Sequence, residues 1–81
     1  MNRTRTRLPY AGLVRWVAAR YNLEHTGYRT IARTIGMSTN TMLMWDKTGV
    51  PVWTADRLAV KLGAHPADIW PDEWWNEWWN L

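Results

Sequence analysis

The stretch that most limits the fold is YRTIARTIGMSTNTMLMWDK, residues 28–47. At about 100° per residue, Ile31, Ala32 and Ile35 share one side of a first helix, and Met42 and Trp45 share one side of a second. Gly36, Met37 and Ser38 stand between them. Two helices that meet steeply through so short a turn need a small residue where their backbones approach, a residue tolerant of positive φ, and apolar residues on the shared side. Ala32 is the small residue, Gly36 the turn residue, and Ile31, Ile35, Met37, Met42 and Trp45 the apolar set. Ser38 is the expected N-cap of the second helix, whose outward side then carries Ser38, Thr39, Asn40, Leu43, Met44 and Lys47.

The flanking sequence reads as helix with short turns. From Pro9 to Asn22, the residues Tyr10, Leu13, Val14, Val17, Ala18 and Tyr21 recur at helical spacing, with Pro9 in the first turn, where a missing N–H does no harm. The segment Tyr28–Ile35 starts after Gly27 and stops at Gly36, and the next helix runs from Thr39 to about Lys47. Val52–Leu62 places Ala55, Leu58, Ala59 and Leu62 on one face and ends at Gly63. Pro66 suits another first turn, and Pro71 restarts a terminal helix. The expected class is all-α, a compact five-helix domain without strands. Residues 1–8 read as a flexible basic arm, 9–71 as the domain and 72–81 as a tryptophan-rich terminal helix. Trp16, Trp45 and Trp53 are expected to close one core.

Composition narrows the chemistry. The chain of 81 residues has no cysteine, which excludes disulfides, thiolate metal sites and thiol catalysis. His25 and His65 lack a third ligand, and no nucleophile–base set or phosphate-cradling glycine loop is visible, so no enzyme activity, metal, cofactor or small-molecule substrate is expected. The N-terminal charges precede no apolar run, and the reading is of a soluble protein of the cytoplasm, without a membrane partner. Charge is divided. Residues 1–47 carry eight Lys/Arg against Glu24 and Asp46, while residues 48–81 carry Arg57 and Lys61 against five acids. A basic half of this kind suits phosphates or a solvated surface.

IARTIGMSTNTMLMWDKTG, followed by LAVKLGAHPADIW, resembles the helix-turn-helix domain of lambda repressor and Cro-like (Xre-type) regulators. The likeness rests on Ala32 and Gly36, on Trp45, Asp46 and Gly49 at the end of the second helix, and on the segment from Leu58 to Pro66, and it spans residues of about 10–71. Eight Arg against two Lys, with many Ala and Trp, resembles the composition of small actinobacterial or phage regulators. The resemblance implies a sequence-specific regulator of transcription, a phage or prophage repressor, that inserts helix 39–47 into the major groove of double-stranded DNA. A recombination or excision accessory would use the same groove chemistry. Three departures stand out: Tyr28 where a polar residue such as Gln is usual, apolar Leu43 and Met44 where polar readers are common, and no capping box before the second helix.

Residue chemistry agrees with that implication. Asn40 can bond the N6 and N7 edge of adenine, and a Thr39 methyl can touch thymine, with Ser38 beside them; the alternative is a set of capping and surface residues. Leu43 and Met44 read either as contacts to thymine methyls or as a face that packs on protein. Arg29, Arg33 and Lys47 are candidate phosphate contacts, and Arg3, Arg5 and Arg7 a minor-groove or phosphate-tracking arm, the alternative being a solubilising tail.

The C-terminal PDEWWNEWWNL puts four of the eight tryptophans between positions 74 and 79. Trp70, Trp74 and Trp78 fall in one stripe, which Trp75 and Trp79 widen, opposite Asp72, Glu73, Asn76 and Glu77. An acidic polar face disfavours anionic lipid. Trp70 and Trp74 are expected to complete the core, and Trp75, Trp78 and Trp79 to join a second copy as a homodimer. The rival reading is a protein-interaction module built on the tryptophan helix and the Leu43–Met44 face.

Overall fold

The computed structural model describes residues 7–79, with side chains described through Trp75. In chain order the elements are β1 (Arg7–Leu8), α1 (Tyr10–Tyr21), α2 (Tyr28–Ile35), α3 (Thr39–Thr48), β2 (Val50–Pro51), α4 (Val52–Lys61), α5 (Pro66–Ile69) and α6 (Pro71–Trp79). The all-α expectation holds for the bulk of the chain. Among the described residues no helix is long and apolar enough to cross a membrane.

One core unites the elements. Leu13 and Val17 of α1, Ile31, Ala32 and Ile35 of α2, Met42 and Trp45 of α3, and Ala55, Leu58 and Ala59 of α4 are buried together with Ile69, Trp70 and Trp74. Trp70 has no exposed surface. Its indole N–H donates to the Pro9 carbonyl at 2.8 Å, which satisfies the one polar atom of a side chain able to bury about 200 Å². The ring lies so close to α1 that a Cβ on Gly12 would stand 2.6 Å from Trp70 Cδ1. Gly12 therefore admits the indole where a side chain would clash, at the cost of about 1 kcal/mol that glycine brings to a helix interior.

The structure corrects the sequence reading in several places. Two short strands exist: β1 and β2 pair antiparallel, with Arg7 opposite Pro51 and Leu8 opposite Val50. Leu8 and Val50 are both buried, so burial of two apolar side chains fixes a pairing too short to show alternation in sequence. Arg7 and Leu8 accordingly belong to the folded body rather than to the arm assigned to residues 1–8. Six helices are present among the described residues, and the last two are separated where the chain breaks at Trp70 (φ −127°, ψ 71°) before Pro71 opens α6, the restart expected there. A residue preceding proline is pushed out of the helical region, which separates α5 from α6. Trp53 does not close the core: it is 60% exposed, because Ala55, Leu58 and Ala59 take the inward side of α4 and turn Trp53 to the other. Tyr21, at the end of the apolar face of α1, is also exposed.

Local signals account for the helix ends. Ser38 caps α3 by accepting from the Thr41 N–H at 3.1 Å, as its position suggests. Gly36 ends α2 at φ +72°, where its N–H reaches the Arg33 carbonyl at 3.3 Å and the Met37 N–H reaches Ala32 at 2.9 Å. His65 caps α5 instead of standing free: its Nδ1 accepts from the Ala67 N–H and its own N–H donates to Asp68 Oδ2, both at 3.0 Å.

Candidate nucleic-acid interface

Helix α3 turns two opposite faces outward and inward. Met42 and Trp45 are buried, and the residues about half a turn away, Asn40, Leu43, Met44 and Lys47, are exposed, with Ser38 exposed at the cap and Thr39 half-buried. Leu43 is 37% and Met44 52% exposed, an unusual pair of large apolar side chains left in water on one helix. Both ends of α3 are pinned by side chains. The Ser38 and Thr41 hydroxyls lie 2.8 Å apart, and the Thr48 hydroxyl donates to the Met44 carbonyl at 2.9 Å. Lys47 in the last turn is well placed for the negative end of the helix dipole.

Arg29 and Arg33 stand one turn apart on α2, both exposed. Neither they nor Lys47 have a hydrogen-bond or ion-pair partner among the described residues, so their charge is free to meet an anion. Arg7 is exposed on β1, and its Nη1 lies 3.5 Å from the Gly49 carbonyl beside the end of α3. Arg3 and Arg5 lie outside the described residues. The structure thus brings Arg7 and the end of α3 together, and sets Arg29 and Arg33 on the helix that precedes α3.

Tyr28 does something the sequence did not suggest. Its hydroxyl donates to the Asp46 carboxylate, tying the first residue of α2 to the last turns of α3. Asp46 is the one acid of α3, and this bond ties its carboxylate to the start of α2. The Tyr28 ring also lies 6.1 Å from that of Tyr10, tilted by 32°. Tyr10, Val14, Arg15, Gly27, Tyr28 and Asp46 line an open groove of about 410 Å³. The Tyr10 hydroxyl is buried and has no hydrogen-bond partner among the described residues. Burial first, and then the nearby Asp46 carboxylate, push its pKa up to about 12. The Tyr28 pKa is also raised, chiefly because its proton is held by Asp46.

Two further cations were missed in sequence. Lys61, at the end of α4, brings its ammonium to 3.3 Å from where a Cβ on Gly36 would stand, and with Met37, Thr54, Arg57 and Leu58 it lines a small cleft of about 160 Å³ beside the turn. The spacing of Arg57 and Lys61 marks one face of α4, but its placement against the turn depends on tertiary packing alone. At the other end, Trp74 is buried and Trp75 is 50% exposed, with the His65 ring stacked on Trp75 at 6.3 Å and edge-on to Trp74 at 6.2 Å. The side chains of Trp78 and Trp79 lie outside the described residues.

No known protein-family model, curated protein or solved structure matches the chain.

Proposed function

We propose that the protein is a sequence-specific binder of double-stranded DNA that regulates transcription, in the manner of the lambda repressor and Cro-like regulators it resembles, with α3 lying in the major groove. The observation that carries this reading is the outward face of α3: Thr39, Asn40, Leu43, Met44 and Lys47 on a helix whose opposite side is buried and whose start is capped by Ser38. The free charges of Arg29, Arg33 and Lys47 support it, since phosphate contacts supply most non-specific affinity and set the register. Arg7, exposed beside the end of α3, adds to this positive charge, and Arg3 and Arg5 precede it in the sequence. The acidic α6 keeps its end of the molecule away from phosphates, and the half-exposed Trp75, with Trp78 and Trp79, joins a second copy so that two copies of α3 read a two-fold operator in the bacterial cytoplasm or an infected cell.

Selection of bound duplexes from a randomised pool tests this directly. One recurrent motif is expected, with log affinity falling with log salt by about 0.9 for each phosphate neutralised. An unenriched pool with salt-insensitive binding contradicts it.

The exposed Leu43, Met44 and Trp75 favour a second reading, a module that binds another protein. Capture of one partner that survives nuclease treatment and is lost in Leu43→Ala and Trp75→Ser would support that reading against the first.

A further inference from the structure

We infer that the outward face of α3 reads thymine C5-methyl groups, so that the DNA it prefers presents A·T pairs in the groove where Leu43 and Met44 lie; the inference rests on the DNA-binding reading above. The face is defined first by the base readers it lacks. Guanine is read by Arg or Lys at O6 and N7, cytosine by a carboxylate at N4, adenine by Asn or Gln, and thymine by apolar contact with its methyl. Between its cap and its last turn, the outward face of α3 holds Thr39, Asn40, Leu43 and Met44 and neither Arg nor acid. Asp46, the only carboxylate on the helix, is already engaged by the Tyr28 hydroxyl. Lys47 lies in the last turn, one turn beyond Leu43, where a long cation reaches phosphate.

The inventory therefore contains an adenine reader and apolar groups, and nothing suited to cytosine. Leu43 and Met44 are a helical step apart, at 37% and 52% exposure, and each presents a flexible or branched alkyl surface to solvent. Burying a methyl against such a surface favours thymine over every base that lacks one, at about 0.8 kcal/mol per carbon, or roughly fourfold in affinity. Charge complementarity names the occupant. Arg29, Arg33 and Lys47 are exposed and unpaired among the described residues, which suits a polyanion that carries apolar groups in its groove. Asn40, one turn before Met44, adds adenine on either strand of the same A·T step.

The test uses the full chain and the duplex recovered by selection. Each thymine in the preferred site is replaced in turn by deoxyuridine, which removes the C5 methyl and leaves every Watson–Crick edge intact, and affinity is measured at fixed salt. The expected result is a loss of about fourfold at one or two positions and none elsewhere. Leu43→Ala and Met44→Ala should each erase the thymine–deoxyuridine difference at one position, while Asn40→Ala preserves that difference and relaxes the adenine beside it. Equal affinity for the thymine and deoxyuridine duplexes, or a selected motif whose core is G·C, would overturn the methyl reading while leaving DNA binding intact. A pool that yields no motif overturns both.

Discussion

The Trp70 indole N–H donates to the Pro9 carbonyl while its ring lies against the bare Cα of Gly12, so that the junction between α5 and α6 is locked onto the first turn of α1. Gly12→Ala would place a methyl 2.6 Å from Trp70 Cδ1 and 2.8 Å from Nε1, inside the contact distance of any carbon. We expect a loss of about 1–3 kcal/mol from overpacking, read as a lower denaturation midpoint with an unchanged slope. A variant as stable as the natural chain would mean that Trp70 has room to move.

Tyr28 and Asp46 are expected to act as one unit. Tyr28→Phe and Asp46→Ala should each lower the melting temperature, and the double variant should fall no further than the worse single one, because the same bond is lost in each. Additive losses in a double-mutant cycle would show that the two side chains act separately. In DNA-binding assays the two single variants should share one phenotype, weaker binding with an unchanged preferred sequence, since neither residue belongs to the set Thr39, Asn40, Leu43, Met44 and Lys47.

Tyrosine ionisation gives a pH window. Tyr10 holds its proton to about pH 12 in the folded chain, against about 10 for a free tyrosine. Between those values the unfolded chain binds fewer protons than the folded one, so stability is fully present below pH 10 and falls as pH rises toward 12. Tyr28 shifts in the same direction. Tyr10→Phe should flatten this decline, and at pH 7 it should leave stability unchanged or raise it by about 1 kcal/mol, because it removes a buried hydroxyl that lacks a partner. Urea titrations at pH 7, 10 and 11.5 check both statements.

Trp74 and Trp75 are neighbours with opposite expectations. Trp74 is buried, and Trp74→Ser should cost about 3–5 kcal/mol, enough to unfold much of so small a domain. Trp75 is half exposed, and Trp75→Ser, alone or with Trp78→Ser and Trp79→Ser, should preserve the fold and convert a dimer to a monomer by sedimentation. A natural chain that sediments as a monomer at every concentration would remove the assembly role.

What the sequence made legible was local. Ala32, Gly36 and Ser38 each answer a demand set within four residues, and the structure places all three as that demand requires. The division of the tail into buried Trp70 and Trp74 against exposed Trp75 also follows from helical spacing. What escaped was set by partners far along the chain. Gly12 is explained only by Trp70, Leu8 only by Val50, and Tyr28 only by Asp46. Trp53 misled for a related reason: a large aromatic near an apolar stripe looks like core, yet the inward side of α4 is already filled by Ala55, Leu58 and Ala59. The cap at His65 escaped because histidine is an uncommon N-cap and pairs here with Asp68 rather than Glu.

The central claim is that the outward face of α3 reads a DNA sequence, and the most direct measurement compares the motifs selected from one randomised duplex pool by the natural chain and by Asn40→Ala. The expected result is a shared motif in which the variant loses preference at a single A·T pair, with the salt dependence of binding unchanged. Identical motifs, or no motif from either chain, would contradict it.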